Sequence, residues 1–195
     1  MSELSAEKLR ADLGEVTIGR EIVVLDETTS TNDEIFKIAT PDTREGIVVI
    51  AEHQTAGRGQ RGKSWESAAR KGLWFSILLR PKIDMKNAAR LTEWAANIVA
   101  TTIGEAEVKP PNDVYISGRK VAGVLVEMRA QPNGPHLGIL GIGVNVNQTA
   151  EDFSDAVKER AASLAMLRGR PQDRHLLAVA LLRNLDRTYA ELFHL

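Results

Sequence analysis

Between residues 54 and 65 the sequence runs QTAGRGQRGKSW and places Arg58, Arg61 and Lys63 within six residues, interleaved with Gly57, Gly59 and Gly62. Glycine lets backbone come close to a ligand, and arginine grips a carboxylate or phosphate through two parallel N–H groups. This pattern suits a loop that closes over a phosphorylated anion; a solvated, charged loop is the plainer alternative. The three glycines also spell G-x-G-x-x-G, with Asp84 at the distance a dinucleotide fingerprint allows. In that fingerprint the glycines open a helix whose N-terminus receives the pyrophosphate. Here the chain continues into GLWFSILL, which reads as a strand, so the dinucleotide reading is set aside.

A second segment, KPPNDVYISGRKVAGVLVE at 109–127, puts Asn112 and Asp113 ahead of one apolar strand and Lys120 at the start of the next. A tight turn at Ser117-Gly118-Arg119 would fold the two strands together and bring Lys120 near Asp113. A lysine between apolar strands needs an anionic partner, because an unpaired buried ammonium is costly. That partner is either Asp113 or a ligand; an exposed hairpin lysine beside a turn aspartate is the bland alternative. Gly123 marks close approach of a ligand to the backbone, or relieves packing. A third segment, GIGVNVN at 141–147, alternates glycine with apolar residues and leaves a bare strip on one face. Asn145 at its end either binds a ligand or caps the strand.

The elements that must position these residues are legible from periodicity. Residues 4–13 read as a short amphipathic helix and 21–25 as a strand. A helix begins near 30–32, where Ser30 with Asp33, and Thr31 with Glu34, have capping-box spacing. GIVVIA at 46–51 reads as a buried strand, 53–71 as a long functional loop, and 72–79 as a strand. On a helix over 85–103, Leu91, Trp94, Ala95, Ile98, Val99 and Thr102 share one face. Strands are expected at 114–117, 121–129 and 136–146, with a turn at Gln131-Pro132-Asn133-Gly134-Pro135 between the last two. From Ala150 the pattern is helical, ending in a strong helix over 173–193. The order is mixed α/β without strict βαβ alternation, and no linker divides it, so 1–195 reads as one domain.

Composition excludes several classes. The net charge of −1 provides no global basic field for nucleic acid, and aromatics are few at 5%. There are no cysteines, which removes disulfides, thiolate catalysis and Cys-zinc sites. His53, His136, His175 and His194 lack zinc-ligand spacing. No apolar run is long enough for a spanning helix and the charged N-terminus is no secretory signal, so the cytoplasm is the expected location. Trp94 reads as core, and Trp74 and Phe75 as strand packing, with one alternating position free to face a pocket.

Taken in order, STN (30–32), QTAGRGQRGKSW (54–65), KPPNDVYISGRKVAGVLVE (109–127) and GIGVNVN (141–147) resemble the catalytic domain of biotin–protein ligases. Each motif alone is weak; the ordered set is specific. The resemblance implies an α/β (α+β) fold with a mixed central sheet flanked by helices, like class II aminoacyl-tRNA synthetases. It implies ATP-dependent activation of biotin to biotinyl-5′-AMP with Mg²⁺, and transfer to a lysine of a biotin carboxyl carrier protein. Under it Ser30, Thr31, Asn32 and Gln54 would hold the biotin head, and Gly123 and Leu125 would contact biotin through backbone. Arg58 and Lys120 would clamp the biotin carboxylate and the phosphates. Gly57, Gly59, Gln60, Arg61, Lys63 and Trp65 would cover the adenylate as the loop orders. Lys109 and Asn145 would lie on the nucleotide side, Asn112 and Asp113 would help hold Mg²⁺, and Asp113 is also a candidate proton acceptor. The resemblance raises self-association as a homodimer through a sheet edge.

Gln60 and Lys63 stand where many members carry arginine, and Pro110 where tryptophan is common. A neutral Gln60 implies an adenylate held less firmly. The first strand begins too early for an N-terminal DNA-binding domain, so none is expected; the chain ends where many relatives continue into a small β-barrel, so either the protein does without that unit or the chain is a shortened form. The rival readings are a lipoate or octanoate ligase of the same superfamily and a non-catalytic biotin-binding module.

Overall fold

The computed structural model describes residues 3–131 and 136–193. The turn expected at 131–135 and His194 therefore fall wholly or mostly outside the described residues. Among the described residues seven strands form one mixed sheet in the order β1-β2-β3-β7-β6-β5-β4. They are β1 (Glu21–Thr28), β2 (Ile47–Gln54), β3 (Leu73–Leu79), β4 (Glu107–Lys109), β5 (Asp113–Ile116), β6 (Arg119–Arg129) and β7 (Leu137–Val144). Only β1 and β2 run parallel, with helix α2 (Thr31–Ile38) as their crossover; the remaining pairs are antiparallel. Hairpin β5–β6 turns at Ser117 (φ 50°) and Gly118 (φ 74°), both in the left-handed region that a two-residue turn requires. The expected mixed α/β fold is the observed one.

β2 and β3 are interior strands, apolar on both faces over residues 47–51 and, Ser76 apart, over Leu73–Leu79. On one face Phe75, Ile77, Leu140, Ile142 and Val144 join a core closed by α1 (Ala6–Leu13), α3 (Ala89–Ile103) and α5 (Arg174–Phe193). Trp94 of α3 stacks there against Tyr189 and Phe193 of α5, as its helical face requires. On the opposite face α2 alone seals a smaller cluster, Ile35 over Val49, Leu78 and Ile139. The rest of that face, carried by β6 and β7, is left open by helices.

Three local expectations change. The helix at residue 31 starts where expected, but neither capping box forms: Ser30 makes no side-chain cap. Thr31 is spent on Gln54 and Ser76, Asp33 on Arg58, and Glu34 on Thr28 and Lys37. Tertiary partners outbid the local ones. After Ala150 only a single 3-10 turn and the five-residue helix α4 (Leu164–Arg168) precede α5. Residues 154–163 are mostly turns, because Lys120 N–H donates to Arg160 O and Ala162 N–H to Lys120 O, docking them beside β6. The short edge strand β4 was not anticipated.

A buried ion pair braces the base of the Gly-Arg loop. Glu52 and Arg174 are 3% and 4% exposed and bond through both carboxylate oxygens, while Glu52 also accepts the Leu4 N–H. Arg174 donates to Gly72 O, and Arg70 N–H to Glu52 O, so both ends of the loop are tied to it. Burial pushes the Glu52 carboxyl up, but the Arg174 and Leu4 hydrogen bonds outweigh it and hold it below its ordinary pKa. A carboxylate lowered on folding stabilises above its unfolded pKa, and that stability is lost as pH falls through the lowered value. Glu52→Gln should cost about 3–5 kcal/mol at neutral pH by orphaning Arg174. It should also flatten the loss of stability below the ordinary carboxylate range; denaturant melts across pH check both.

Candidate active site

The uncovered face holds a cleft of about 550 Å³. Its floor is bare because Gly123, Gly141 and Gly143 carry no side chain. A Cβ on Gly141 would lie 2.4 Å from Asn32 Oδ1, and one on Gly143 2.6 Å from the Trp65 indole. Gly123 is equally close beneath Trp65, at 2.8 Å. The strip of glycines in β6 and β7 thus admits Asn32 at one end and the Trp65 ring at the other. Trp65 meets the buried Trp74 edge-on at 6.1 Å; of the two β3 aromatics it is Phe75 that lines the cleft, although its side chain joins the main core.

The polar end is a continuous hydrogen-bond chain at the start of α2. Thr31 N–H donates to Gln54 Oε1 (2.9 Å), Thr31 and Ser76 hydroxyls lie 2.6 Å apart, and Ser76 donates to Asn32 Oδ1 (2.5 Å). Thr31 Oγ1 also lies 3.1 Å from Gln54 Oε1, so two hydroxyl protons serve three contacts: when Thr31 donates to Ser76 and Ser76 to Asn32, Gln54 Oε1 keeps the Thr31 N–H as its donor. Asn32 Nδ2 then donates to Glu127 Oε2 at 2.6 Å. Ser30, Thr31 and Asn32 are buried, yet all three line the cleft together with Gln54. Such a pocket offers both donors and acceptors to a compact polar group.

The cationic end is built from two elements. Arg58, on the loop, donates to Asp33 Oδ2 (2.6 Å) and Glu127 Oε2 (2.9 Å). The Asp33 hydrogen bond raises the Arg58 pKa, with Glu127 adding to it against the effect of burial. Lys120 Nζ lies 2.7 Å from Asp113 Oδ1, an ion pair too poorly angled to be a directed hydrogen bond, and sits 5.1 Å from the Trp65 ring centroid. Of the two partners foreseen for Lys120, the internal one is present, and the ammonium still lines the cleft. Arg58 and Lys120 therefore do border one cavity.

The loop is more ordered than its composition implied. Trp65 N–H donates to Gly57 O and Gly59 N–H to Lys63 O, with an antiparallel bridge between Arg58 and Ser64. Arg61 (φ 57°) and Gly62 (φ 74°) turn it back. Arg61 and Lys63 are exposed on its rim; they, Gly59 and Gln60 line the cleft. No helix opens after the glycines; the loop leads to β3, against the dinucleotide reading. Gly57 does not line the cleft: it is buried, where a Cβ would meet Trp65 O at 2.7 Å, so its role is packing within the loop.

The other expected residues gather at the same place. Lys109, Asn112, Asp113, Leu125 and Asn145 all line the cleft. Asn112 donates its amide to Val124 O, and Asn145 Oδ1 accepts from Gln148, so both are partly committed to the fold. Of the described histidines none lines the cleft; His53 pairs with Glu27 and His175 with Asp12. Sequence reasoning missed Asp33, Ser76 and Glu127, and the wall formed by Phe153, Val157 and Arg160. The available signals were the lone hydroxyl in LWFSILL and the glutamate ending the VAGVLVE strand.

Comparison with known proteins agrees with this geometry. Residues 24–145 match the model of the biotin/lipoate A/B protein ligase family, and the chain belongs to that family. It is 37% identical over 177 residues to the bifunctional ligase/repressor BirA of Bacillus subtilis, across 88% of this chain and 54% of that protein. It is 35% identical to the biotin–[acetyl-CoA-carboxylase] ligase of Mycobacterium tuberculosis, covering 86% of this chain and 63% of that one. The chain thus spans between half and two thirds of the length of these relatives. Its structure superimposes on the biotin protein ligase of Aquifex aeolicus in complex with biotin and ATP with a TM-score of 0.74 and 28% identity. That match covers 90% of this chain and 72% of the other.

Gly143→Ala should expel the Trp65 indole from the floor, since its Cβ would fall within 3 Å of three ring atoms. Tryptophan emission should shift to the red, with the melting temperature little changed; an unshifted spectrum would contradict the packing of Trp65 on Gly143.

Proposed function

We propose that this chain activates biotin with ATP to biotinyl-5′-AMP and passes the biotinyl group to a lysine of a biotin carboxyl carrier protein. The observation that carries the reading is the convergence of Arg58 and Lys120 on one cleft, beside a polar pocket and above a floor of glycine. Family membership and the likeness to ligases solved with biotin and ATP support it.

The chemistry demands these residue types. In the first step a carboxylate oxygen attacks the α-phosphorus of ATP and pyrophosphate leaves. Two unit charges at ~4 Å repel by about 4 kcal/mol at an effective dielectric near 20, and each ~1.4 kcal/mol is tenfold in rate. Arg58 and Lys120 offset that repulsion by holding both anions. Ser30, Thr31, Asn32 and Gln54 would take the ureido ring, which both donates and accepts, while Gly123 and Leu125 give it backbone contact. Trp65, Gln60, Arg61 and Lys63 would close over the mixed anhydride and keep water from it, with Lys109 and Asn145 toward the nucleotide.

Asn112 and Asp113 offer hard oxygen donors, and Asp113 Oδ1, buried without a hydrogen bond, has the Lys120 ammonium at 2.7 Å as its ion-pair partner. That set fits Mg²⁺ in the manner usual with ATP, one or two protein oxygens with the rest from phosphate and water. The ion would supply charge neutralisation at the phosphates. In the second step the carrier amine attacks the carbonyl carbon, AMP leaves, and a proton must be taken up; Asp113, a carboxylate on the cleft wall, is the candidate acceptor. The reading includes a cytoplasmic location and a homodimer paired through a sheet edge.

Incubating the purified chain with biotin, MgATP and a carrier domain should raise the carrier mass by one biotinyl group, and lipoate should not replace biotin. Arg58→Ala and Lys120→Ala should each lower the rate by about a hundredfold or more. An unmodified carrier with intact ATP would overturn the reading. Gln60→Arg should slow dissociation of biotinyl-5′-AMP, because a neutral amide holds phosphate less firmly than a guanidinium; equal dissociation rates would contradict that role.

A further inference from the structure

Neither Glu127 nor Asp33 lines the cleft, but each holds a residue that does. Glu127 is the unusual one, because a single oxygen, Oε2, accepts from Asn32 Nδ2 at 2.6 Å and from Arg58 Nη2 at 2.9 Å. One carboxylate oxygen therefore joins the polar pocket to the cationic clamp. We propose that Glu127 is a positioning residue with two separable duties: it orients the Asn32 amide for the biotin head, and it holds Arg58 back from phosphate until ligand competes for the guanidinium. This rests on the biotin-ligase reading and assigns a role to a residue outside the contact surface.

The first duty follows from hydrogen-bond inventory. A carboxylate only accepts, so the Asn32 nitrogen must face Glu127. The Asn32 oxygen is then turned to Ser76, whose hydroxyl donates to it. This sets which edge of Asn32 donates and which accepts, and the setting is fixed before ligand arrives. Without an acceptor at 127 the amide is free to rotate and the pocket loses its fixed pattern of donors and acceptors.

The second duty follows from charge. Arg58 rests between two carboxylates, Asp33 and Glu127, with each taking one terminal nitrogen. A phosphate approaching Arg58 meets two anions already bonded to it. Removing the Glu127 charge therefore favours the phosphate, whereas removing its acceptor atoms harms the biotin pocket. The two effects have opposite sign, which general loosening of the fold would not produce.

Calorimetric titration of the purified chain with biotin alone, and separately with MgATP alone, tests both duties. Glu127→Leu should bind biotin about tenfold more weakly and MgATP about threefold more tightly. Glu127→Gln keeps an oxygen acceptor but removes the charge, so it should restore biotin binding to within about twofold of wild type while retaining the tighter MgATP binding. Asp33→Asn should tighten MgATP in the same direction and move biotin affinity less than Glu127→Leu does. If Glu127→Leu does not fold, the glutamine variant decides: tighter MgATP with near-normal biotin supports the proposal. Unchanged or weaker MgATP in that variant, or unchanged biotin affinity in Glu127→Leu, overturns it. A wild-type chain that binds MgATP but not biotin overturns the biotin-ligase reading itself, an outcome distinct from either.

Discussion

The site depends on a stretch of sheet that carries no side chains. Gly123, Gly141 and Gly143 lie on the one face that α1, α3 and α5 do not cover, and α2 is too short to reach across it. A sheet face left apolar and open would invite aggregation or burial by another element. Glycine resolves this by giving the space to side chains from elsewhere: Asn32 from a helix start and Trp65 from a loop. A single Cβ at 141 or 143 would collide with them. The cleft is therefore a consequence of packing on the opposite face, where the β6 and β7 residues between these glycines are core.

On that floor the charges are arranged in pairs. Lys120 is balanced by Asp113 and Arg58 by Asp33 and Glu127. A cation cluster without such partners would repel itself and cost desolvation energy. Pairing makes the ligand-free protein stable and leaves each cation half-exposed and able to exchange one anion for another. The Glu52–Arg174 pair beneath the loop is different in kind. It is almost fully buried and ties both ends of the loop to the core, while Arg61 and Lys63 stand exposed on the rim.

Much of this was legible in the sequence. The strand starts, the helix at residue 31, the hairpin at 117–118 and the three motif segments all follow from local patterns. Of the residues expected to bind, only Gly57 falls outside the lining. What the sequence withheld is long-range. Ser30 and Thr31 have capping-box partners at the right spacing, yet Asp33 is taken by a loop arginine 25 positions away, a competition no local rule anticipates. Glu127 carried no assigned role within the strand expected over 121–129, and only the fold brings Asn32 and Arg58 to it. The segment after Ala150 carries a helical period, but backbone hydrogen bonds with Lys120 hold part of it in turns that wall the cleft.

The central claim is that Arg58 and Lys120 act on one ligand across the glycine floor. A crystal structure of the chain with biotin and a non-hydrolysable ATP analogue tests it most directly. The account predicts the biotin carboxylate within hydrogen-bond reach of both cations, the ureido ring against Asn32, and Trp65 displaced from Gly143. Biotin bound elsewhere, or with Arg58 and Lys120 still paired only to their carboxylates, would contradict it.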